Sequence, residues 1–416
     1  MKKMILLVLL VALILCGCGD ERYEKVNFDI ATTLPIEEVE QMPDFELTFG
    51  PKGKFTEDGV FFAVNDEDSP TDTLYFADSV TDVIYPLCAQ TNCSHDTDGC
   101  PARMEVSNLH YDGEFLYFVE GSAFLGECIM RQRVDGSDRE ILFRQEAEEY
   151  GVATIHSTLY HGDILYFTTF GGVFDSETGE LTSGERVCIG NLKTGELKII
   201  PMEFGEGDGA TTGILGVCGN ELLMIRQTGG DGIFGEQTYR ERFFLLNLDT
   251  YEITIIAEFT LQNRRAYRMI GDSILYFELN WPDAELLMED ETEGGLKITT
   301  CDVMIVDLKN RKAYLKKDVV LTTQMFSDEY YIYYEWNENY TSFIKMVKDL
   351  RTGEVRPYPE NIPRLIWPVR AGEYLYAEMK DEKGEWSYVR ILEKDFWAGN
   401  PDFFVFPEWA MTGIVF

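Results

Sequence analysis

The sequence predicts an all-β fold, a β-propeller of seven four-stranded blades, and three observations predict it. A short apolar-aromatic strand led by a turn recurs seven times along the chain: "DGVFFAV" (58–64), "DGEFLYFV" (112–119), "GDILYFT" (162–168), "GNELLMI" (219–225), "GDSILYFE" (271–278), "SDEYYIYYE" (327–335) and "AGEYLYAE" (371–378). A second element follows each copy, a strand ending in Asp or Asn, a tight turn, and another strand. Asp135, Asn191, Asn247, Asp307 and Asp349 lead its clear turns, spaced 42 to 60 residues apart, with weaker members at Asp78 and near Lys394. After the N-terminus no stretch of useful length has helical periodicity. Tyr, Phe, Ile and Leu between turn residues read as strands, and Asp, Asn, Thr and Gly supply the hairpin turns. Units of this length, each with about four strands, suit propeller blades.

A ring of six or eight blades stays open, because the first and last units are weak. A two-domain array of β-sandwiches is the other alternative, which the recurring unit argues against. "FELTFG" near the start or "MTGIVF" at the end could complete a terminal blade.

The N-terminus reads differently. Lys2 and Lys3 precede an uninterrupted apolar run from Met4 to Cys16. Such a run is too short to span a bilayer and suits the core of a signal peptide. Leu15-Cys16-Gly17-Cys18 follows. This resembles the lipobox of bacterial lipoproteins, which implies cleavage before Cys18, residues 1–17 as signal peptide, and Cys18 as a lipidated N-terminus carrying a diacylglycerol with palmitate-type chains. The resemblance implies a cell-membrane protein anchored on the extracytoplasmic face, where disulfides are permitted. Residues 18–44, polar and acidic, read as a flexible tether, and residues 45–416 as the propeller domain.

Composition excludes some partners. The chain carries 73 acidic against 36 basic residues, a formal charge of −37. Losing residues 1–17 removes Lys2 and Lys3 and brings it to −39. Nucleic acid would be repelled. A 45% hydrophobic content with 27 Phe and 22 Tyr supports a large core. The "DGSDREIL" turn, the "LYF" strands and the lipobox together resemble lipoproteins of Gram-positive bacteria with a TolB-like β-propeller, or a related propeller domain of unknown function. That resemblance implies fold and location rather than activity.

One loop stands out: "YPLCAQTNCSHDTDGCPAR" (85–103) holds Cys88, Cys93, His95 and Cys100. Three cysteines and one histidine form a tetrahedral zinc complement, though C-x4-C-x-H-x4-C is no standard finger. A disulfide among Cys88, Cys93 and Cys100 is the equal alternative in an exported protein. With Cys18 lipidated, seven other cysteines remain, an odd number that leaves one thiol unpaired or metal-bound. The loop is expected after the last strand of the first unit, on the crossover face that in propellers usually binds ligands. Cys188 and Cys301 read as small core residues. His110, His156 and His161 read as partly exposed turn histidines.

No nucleophile elbow, H-E-x-x-H or phosphate-binding glycine loop is present, so the reading leans against an enzyme. Long loops instead carry aromatics beside acids and glycines: Phe170, Phe174, Phe234, Trp281, Trp336 and Tyr340. Such side chains suit contact with a glycan, peptide or protein. The sequence therefore points to a membrane-tethered binding module. A secreted propeller glycoside hydrolase or lyase is the runner-up, and a structural envelope protein the third reading.

Overall fold

A computed structural model describes residues 26–27, 31–45, 47, 53–65, 71–97, 99–104, 106–122, 126–144, 153–174, 181–203, 211–228, 240–260, 264–279, 299–321, 325–327, 329–336, 343–380 and 384–411. Their strands form seven separate sheets, one per blade, so the seven-bladed propeller stands. In chain order the later blades are Ser107–Tyr111, Phe115–Ser122, Gly126–Arg133 and Glu140–Arg144 (blade 2); Ala153–His161, Ile164–Phe174, Leu181–Asn191 and Leu197–Glu203 (blade 3); Thr211–Cys218, Glu221–Thr228, Arg240–Asn247 and Ile253–Thr260 (blade 4). Blade 5 comprises Arg264–Ile270, Ile274–Leu279, Thr299–Asp307 and Lys312–Leu321; blade 6, Met325–Phe326, Tyr330–Trp336, Phe343–Asp349 and Val355–Pro357; blade 7, Leu365–Ala371, Tyr374–Lys380, Trp386–Leu392 and Phe404–Val405. Within each of these sheets neighbouring strands are antiparallel hairpins.

The recurring apolar-aromatic segment is the second strand of every blade. It lies between blades, so both its faces are covered; all six residues of Ile274–Leu279 are buried. The Asp/Asn-led turn joins the third strand to the fourth. Its side chain accepts from the backbone just ahead: Lys193 and Thr194 N–H donate to Asn191 Oδ1 at 3.0 and 2.9 Å, and Val80 and Thr81 N–H donate to Asp78 Oδ1 at 2.8 and 2.9 Å. The residue after it ties this turn to the turn between the first two strands. Leu192 N–H donates to Asp163 O, Leu248 to Asn220 O, Leu308 to Ser273 O and Leu350 to Glu329 O, all at 2.8–3.0 Å. The weak unit near Lys394 differs because a short helix, Glu393–Ala398, replaces the turn, though Glu393 N–H still reaches Glu373 O at 2.8 Å. A second short helix, Glu408–Met411, follows. Among the described residues no helix is long and apolar enough to cross a membrane.

Blade 1 departs from the pattern at both edges. Its second strand is Gly59–Asn65 and its third Asp72–Asp78. The first is reduced to a bridge between Phe55 and Val60. The fourth is split: Ile84–Pro86 pairs with Tyr75–Ala77, and Arg103–Met104 pairs with Asp72–Thr73. Among the described residues blades 1 and 7 meet without exchanging a strand. Val60, Phe62 and Ala77 pack on Ala371, Tyr376, Phe406 and Ala410, and the buried Arg390 donates to Asp78 O at 3.3 Å and pairs with Asp82.

Two expectations about the chain ends need correcting. The segment read as a flexible tether is in part a strap. Val26–Asn27 pairs in parallel with the outer strand of blade 3, Thr32–Thr33 with that of blade 4 and Ile36–Glu38 with that of blade 5. Leu34, 7% exposed, sits in the core shared by blades 4 and 5. Open strand edges and one buried leucine outweigh the segment's polar composition. Of "FELTFG", the described residues Phe45 and Leu47 complete no terminal blade but pack against the blade 5 cluster of Ile270, Ile274 and Tyr276, and the rest lies outside the described residues. Residues 412–416 of "MTGIVF" lie outside the described residues.

Candidate metal centre

The Cys/His loop grows out of the split strand of blade 1. Leu87 N–H donates to Leu74 O at 2.9 Å, and Leu74 N–H donates to Ala102 O at 2.8 Å. Both halves of the outer strand therefore register on one residue, and residues 88–101 leave between them. The loop thus interrupts the outer strand, rather than following it as the sequence suggested, and leaves from the rim of the blade, not the crossover face. It docks on the third-to-fourth turn of blade 2: Ala89 N–H donates to Asp135 O at 3.2 Å, and Gly136 lies against Pro101 and the carbonyl of Leu87. Gly136 has φ +83°, and a Cβ there would collide with the Pro101 ring.

Within the loop, two tight turns aim the ligands inward. Cys93 N–H donates to Gln90 O at 3.3 Å and Cys100 N–H to Thr97 O at 3.0 Å, with Asn92 and His95 in the left-handed region at φ 61° and 59°. The Sγ atoms of Cys88, Cys93 and Cys100 and a ring nitrogen of His95 all lie within 4.8 Å of one another. His95 Nδ1 is 3.3 Å from Cys100 Sγ. No disulfide joins these cysteines, which are free thiols, as are Cys128, Cys188, Cys218 and Cys301. Around a tetrahedral zinc with Zn–S of about 2.3 Å, sulfurs stand roughly 3.8 Å apart, so this donor set fits the ion. Four protein donors leave no open position, the pattern of a structural rather than a catalytic site.

The thiols are not equivalent. The backbone N–H of His95 holds the Cys93 thiol below its ordinary value. Burial pushes Cys100, 1% exposed, up to about 12. A bound cation would reverse that second shift, because a thiolate on a metal keeps its charge compensated.

The remaining site residues fall as follows. Cys18 lies outside the described residues. Phe170 is exposed on the second strand of blade 3 and meets His156 edge-on at 5.9 Å. Phe174 and Trp336 lie in second strands of blades 3 and 6. Phe234, Trp281 and Tyr340 lie outside the described residues, between the second and third strands of blades 4, 5 and 6. Three of the six thus lie in second strands and three in the stretches between second and third strands, spread over blades 3 to 6. Cys188 and Cys301 are core residues, 1% and 2% exposed, as read. His110 is not a turn histidine at the surface: it is 6% exposed and stacks on Tyr160 at 4.1 Å, and burial pushes its pKa down to about 4. The reading missed Asp135 and Gly136 as the seat of the loop. Gly at the head of "DGSD" looked like turn chemistry alone.

The class these features define is a seven-bladed β-propeller with a Cys3His cluster inserted in its first blade. No family model matches the chain, and no curated protein matches it in sequence. Among solved structures it is similar to the β-propeller domain of the Trilobed protease from Pyrococcus furiosus, at 9% identity and TM-score 0.44, over 88% of this chain and 99% of that one. A puromycin-hydrolyzing peptidase of Mycobacterium tuberculosis gives 10% identity and TM-score 0.47, over 90% and 56%. TolB from Acinetobacter baumannii gives 12% and 0.33, over 71% and 64%. The seven-blade assignment rests on the chain's own sheet topology.

Proposed function

We propose that the chain is an exported β-propeller lipoprotein, anchored to the cell membrane through Cys18, that binds a glycan, peptide or protein ligand. The ligand face is the one formed by the second-to-third-strand connections of blades 3 to 6. The observation that carries this reading is that Phe170, Phe174 and Trp336 lie in the second strands of blades 3 and 6, while Phe234, Trp281 and Tyr340 fall in the sequence between the second and third strands of blades 4 to 6. Large aromatics gathered on one face, with polar neighbours, are the anchors binding surfaces use. Cys88, Cys93, His95 and Cys100 would hold a zinc ion, whose part is to close the loop that splits blade 1. The convergence of their ligand atoms supports this role.

The test is a binding screen of the mature chain against glycan and peptide panels, with Phe170→Ala and Trp336→Ala beside the native chain. A saturable ligand weakened by either change supports the reading. A panel with no saturable ligand refutes it and favours a structural envelope protein. Turnover of a glycan, lost when a central-channel acid is changed, would move the chain to the hydrolase class.

A further inference from the structure

Three thiols and one imidazole meet at the rim of blade 1, and the same thiols have a second way to satisfy one another. Their ligand atoms all lie within 4.8 Å. A disulfide holds its sulfurs about 2.05 Å apart, so a pair reaches bonding distance by moving at most roughly 3 Å. The two states exclude each other. A tetrahedral zinc here uses all four donors, and a disulfide takes two of the three sulfurs. One Cys and one His would remain, too few to keep the ion. The other described cysteines stand one to a blade, Cys128 in blade 2, Cys188 in blade 3, Cys218 in blade 4 and Cys301 in blade 5.

Access differs within the cluster. Cys100 is 1% exposed. It is tied on both sides: its N–H donates to Thr97 O at 3.0 Å, and its carbonyl accepts from Arg103 N–H at 2.9 Å. Its Sγ also lies 3.3 Å from His95 Nδ1. Cys88 and Cys93 are half-buried. Cys93 sits between the exposed Asn92 and Ser94, whereas Cys88 follows the buried Leu87. A water-borne oxidant therefore meets Cys93 first. Cys88 is its nearer partner along the chain and closes the shorter ring.

The two ends of the loop are seated on blade 2 separately. Ala89, next to Cys88, donates its N–H to Asp135 O at 3.2 Å, and Pro101, next to Cys100, packs on Gly136. An ion held by both Cys88 and Cys100 joins these two seats into one unit. A Cys88–Cys93 bridge would close only the first half of the loop and let go of His95 and Cys100. The strand pairs on either side, at Tyr75–Ala77 and Asp72–Thr73, involve none of these side chains and stay as they are.

We propose that the loop is a redox-sensitive zinc latch: a peroxide converts Cys88 and Cys93 to a disulfide and expels the ion, and a dithiol restores the site. The Cys93 thiolate attacks the peroxide, the O–O bond breaks, and a sulfenic acid forms as hydroxide leaves. The Cys88 thiolate attacks that sulfur, the S–S bond forms and the S–O bond breaks, releasing a second hydroxide. Two protons from solvent turn both into water. The two electrons that reduce the peroxide come from the two sulfurs. Cys100 takes up a further proton, and zinc leaves as the hydrated cation. Return is thiol–disulfide exchange with an external dithiol. The proposal rests on reading the loop as a zinc site in an exported chain, and it names the regulation of that site. Outside the cytosol no glutathione pool keeps thiols reduced.

The test uses the mature chain, reduced and loaded with zinc, in a buffer holding a metallochromic dye. Hydrogen peroxide is added in steps. One equivalent releases the zinc, lowers the chain mass by two hydrogens, and gives a Cys88–Cys93 bridge on peptide mapping. Dithiothreitol with fresh zinc brings the ion back. Cys218→Ser, in blade 4, behaves as the native chain does. Cys93→Ser, with or without zinc, keeps its mass under the same dose, and a thermal melt confirms its folding. An ion retained through excess peroxide overturns the latch and leaves a structural zinc site. So does an ion lost with the thiols carried to sulfinic acid, which dithiothreitol does not reverse. A bridge through Cys100, in the native chain or in Cys93→Ser, also overturns it, because the exposed pair is then not the one that reacts. A reduced chain that takes up no zinc removes the metal reading and the latch together.

Discussion

Leu87 and Ala102 pair with one and the same residue, Leu74, from its two backbone groups, with the loop of 88–101 between them. An outer strand is thereby cut in the middle and rejoined in register. The two halves are held to the third strand on either side of the cut, and the loop between them is where Cys88, Cys93, His95 and Cys100 converge. Among the described residues blade 1 also has the shortest inner strand pairing, and it meets blade 7 through side-chain packing and the contacts of Arg390 with Asp78 and Asp82. The metal-ligand set is thus built into a blade whose described first and fourth strands are both abbreviated.

Stripping the metal should loosen that blade first. With free zinc about a thousandfold above its Kd, loss of the ion costs about 4 kcal/mol of stability. Native mass spectrometry should show one zinc that disappears with chelator. Cys88, Cys93 and Cys100 should become open to alkylation, while Cys188 and Cys301 stay protected. Hydrogen exchange should rise at Leu74, Leu87 and 134–137 before blades 3 to 5. Mass loss of two hydrogens with no bound ion would mean a disulfide in its place.

Gly136 seats the loop on blade 2. Gly136→Ala forces a side chain into the Pro101 ring at a φ of +83° and should cost about 1–3 kcal/mol. Urea unfolding would measure the loss. A competition assay against a zinc chelator should show weaker retention, because the four ligands are no longer held in place. Unchanged retention would mean that the loop forms its site without the neighbouring blade.

Leu34 distinguishes a strap from a spacer. It is buried among Leu223, Leu245, Leu275 and Val306, so Leu34→Ala should lower stability by about 2–4 kcal/mol. A residue in a free tether would change nothing measurable in the same denaturation curve.

His110 gives the fold an acid sensitivity. Its folded pKa is lowered to about 4 from 6.5 by burial, opposed by Asp112. Between those values the unfolded chain takes up a proton that the folded chain refuses. Stability is therefore full above about pH 6.5 and falls as pH drops toward 4, by about 3 kcal/mol from this residue. Denaturation of metal-free native and His110→Gln chains across that range isolates it, since the variant should lack this part of the slope. Parallel slopes would refute the assignment.

The sequence by itself determined the repeat, hence the fold. Periodic apolar-aromatic strands and Asx-led turns are local signals, and each blade is a run of short hairpins that needs nothing distant to be read. It also brought out Cys88, Cys93, His95 and Cys100, because soft ligands crowded within thirteen residues can meet with little loop closure. Tertiary structure alone decided the rest. Residues 26–38 look like a spacer because their partners, the outer edges of blades 3 to 5, lie hundreds of residues away. Gly136 looks like an ordinary turn glycine until Pro101 is packed against it. Both contacts join residues far apart in the chain, which local propensity cannot register and only the packing of neighbouring blades brings together.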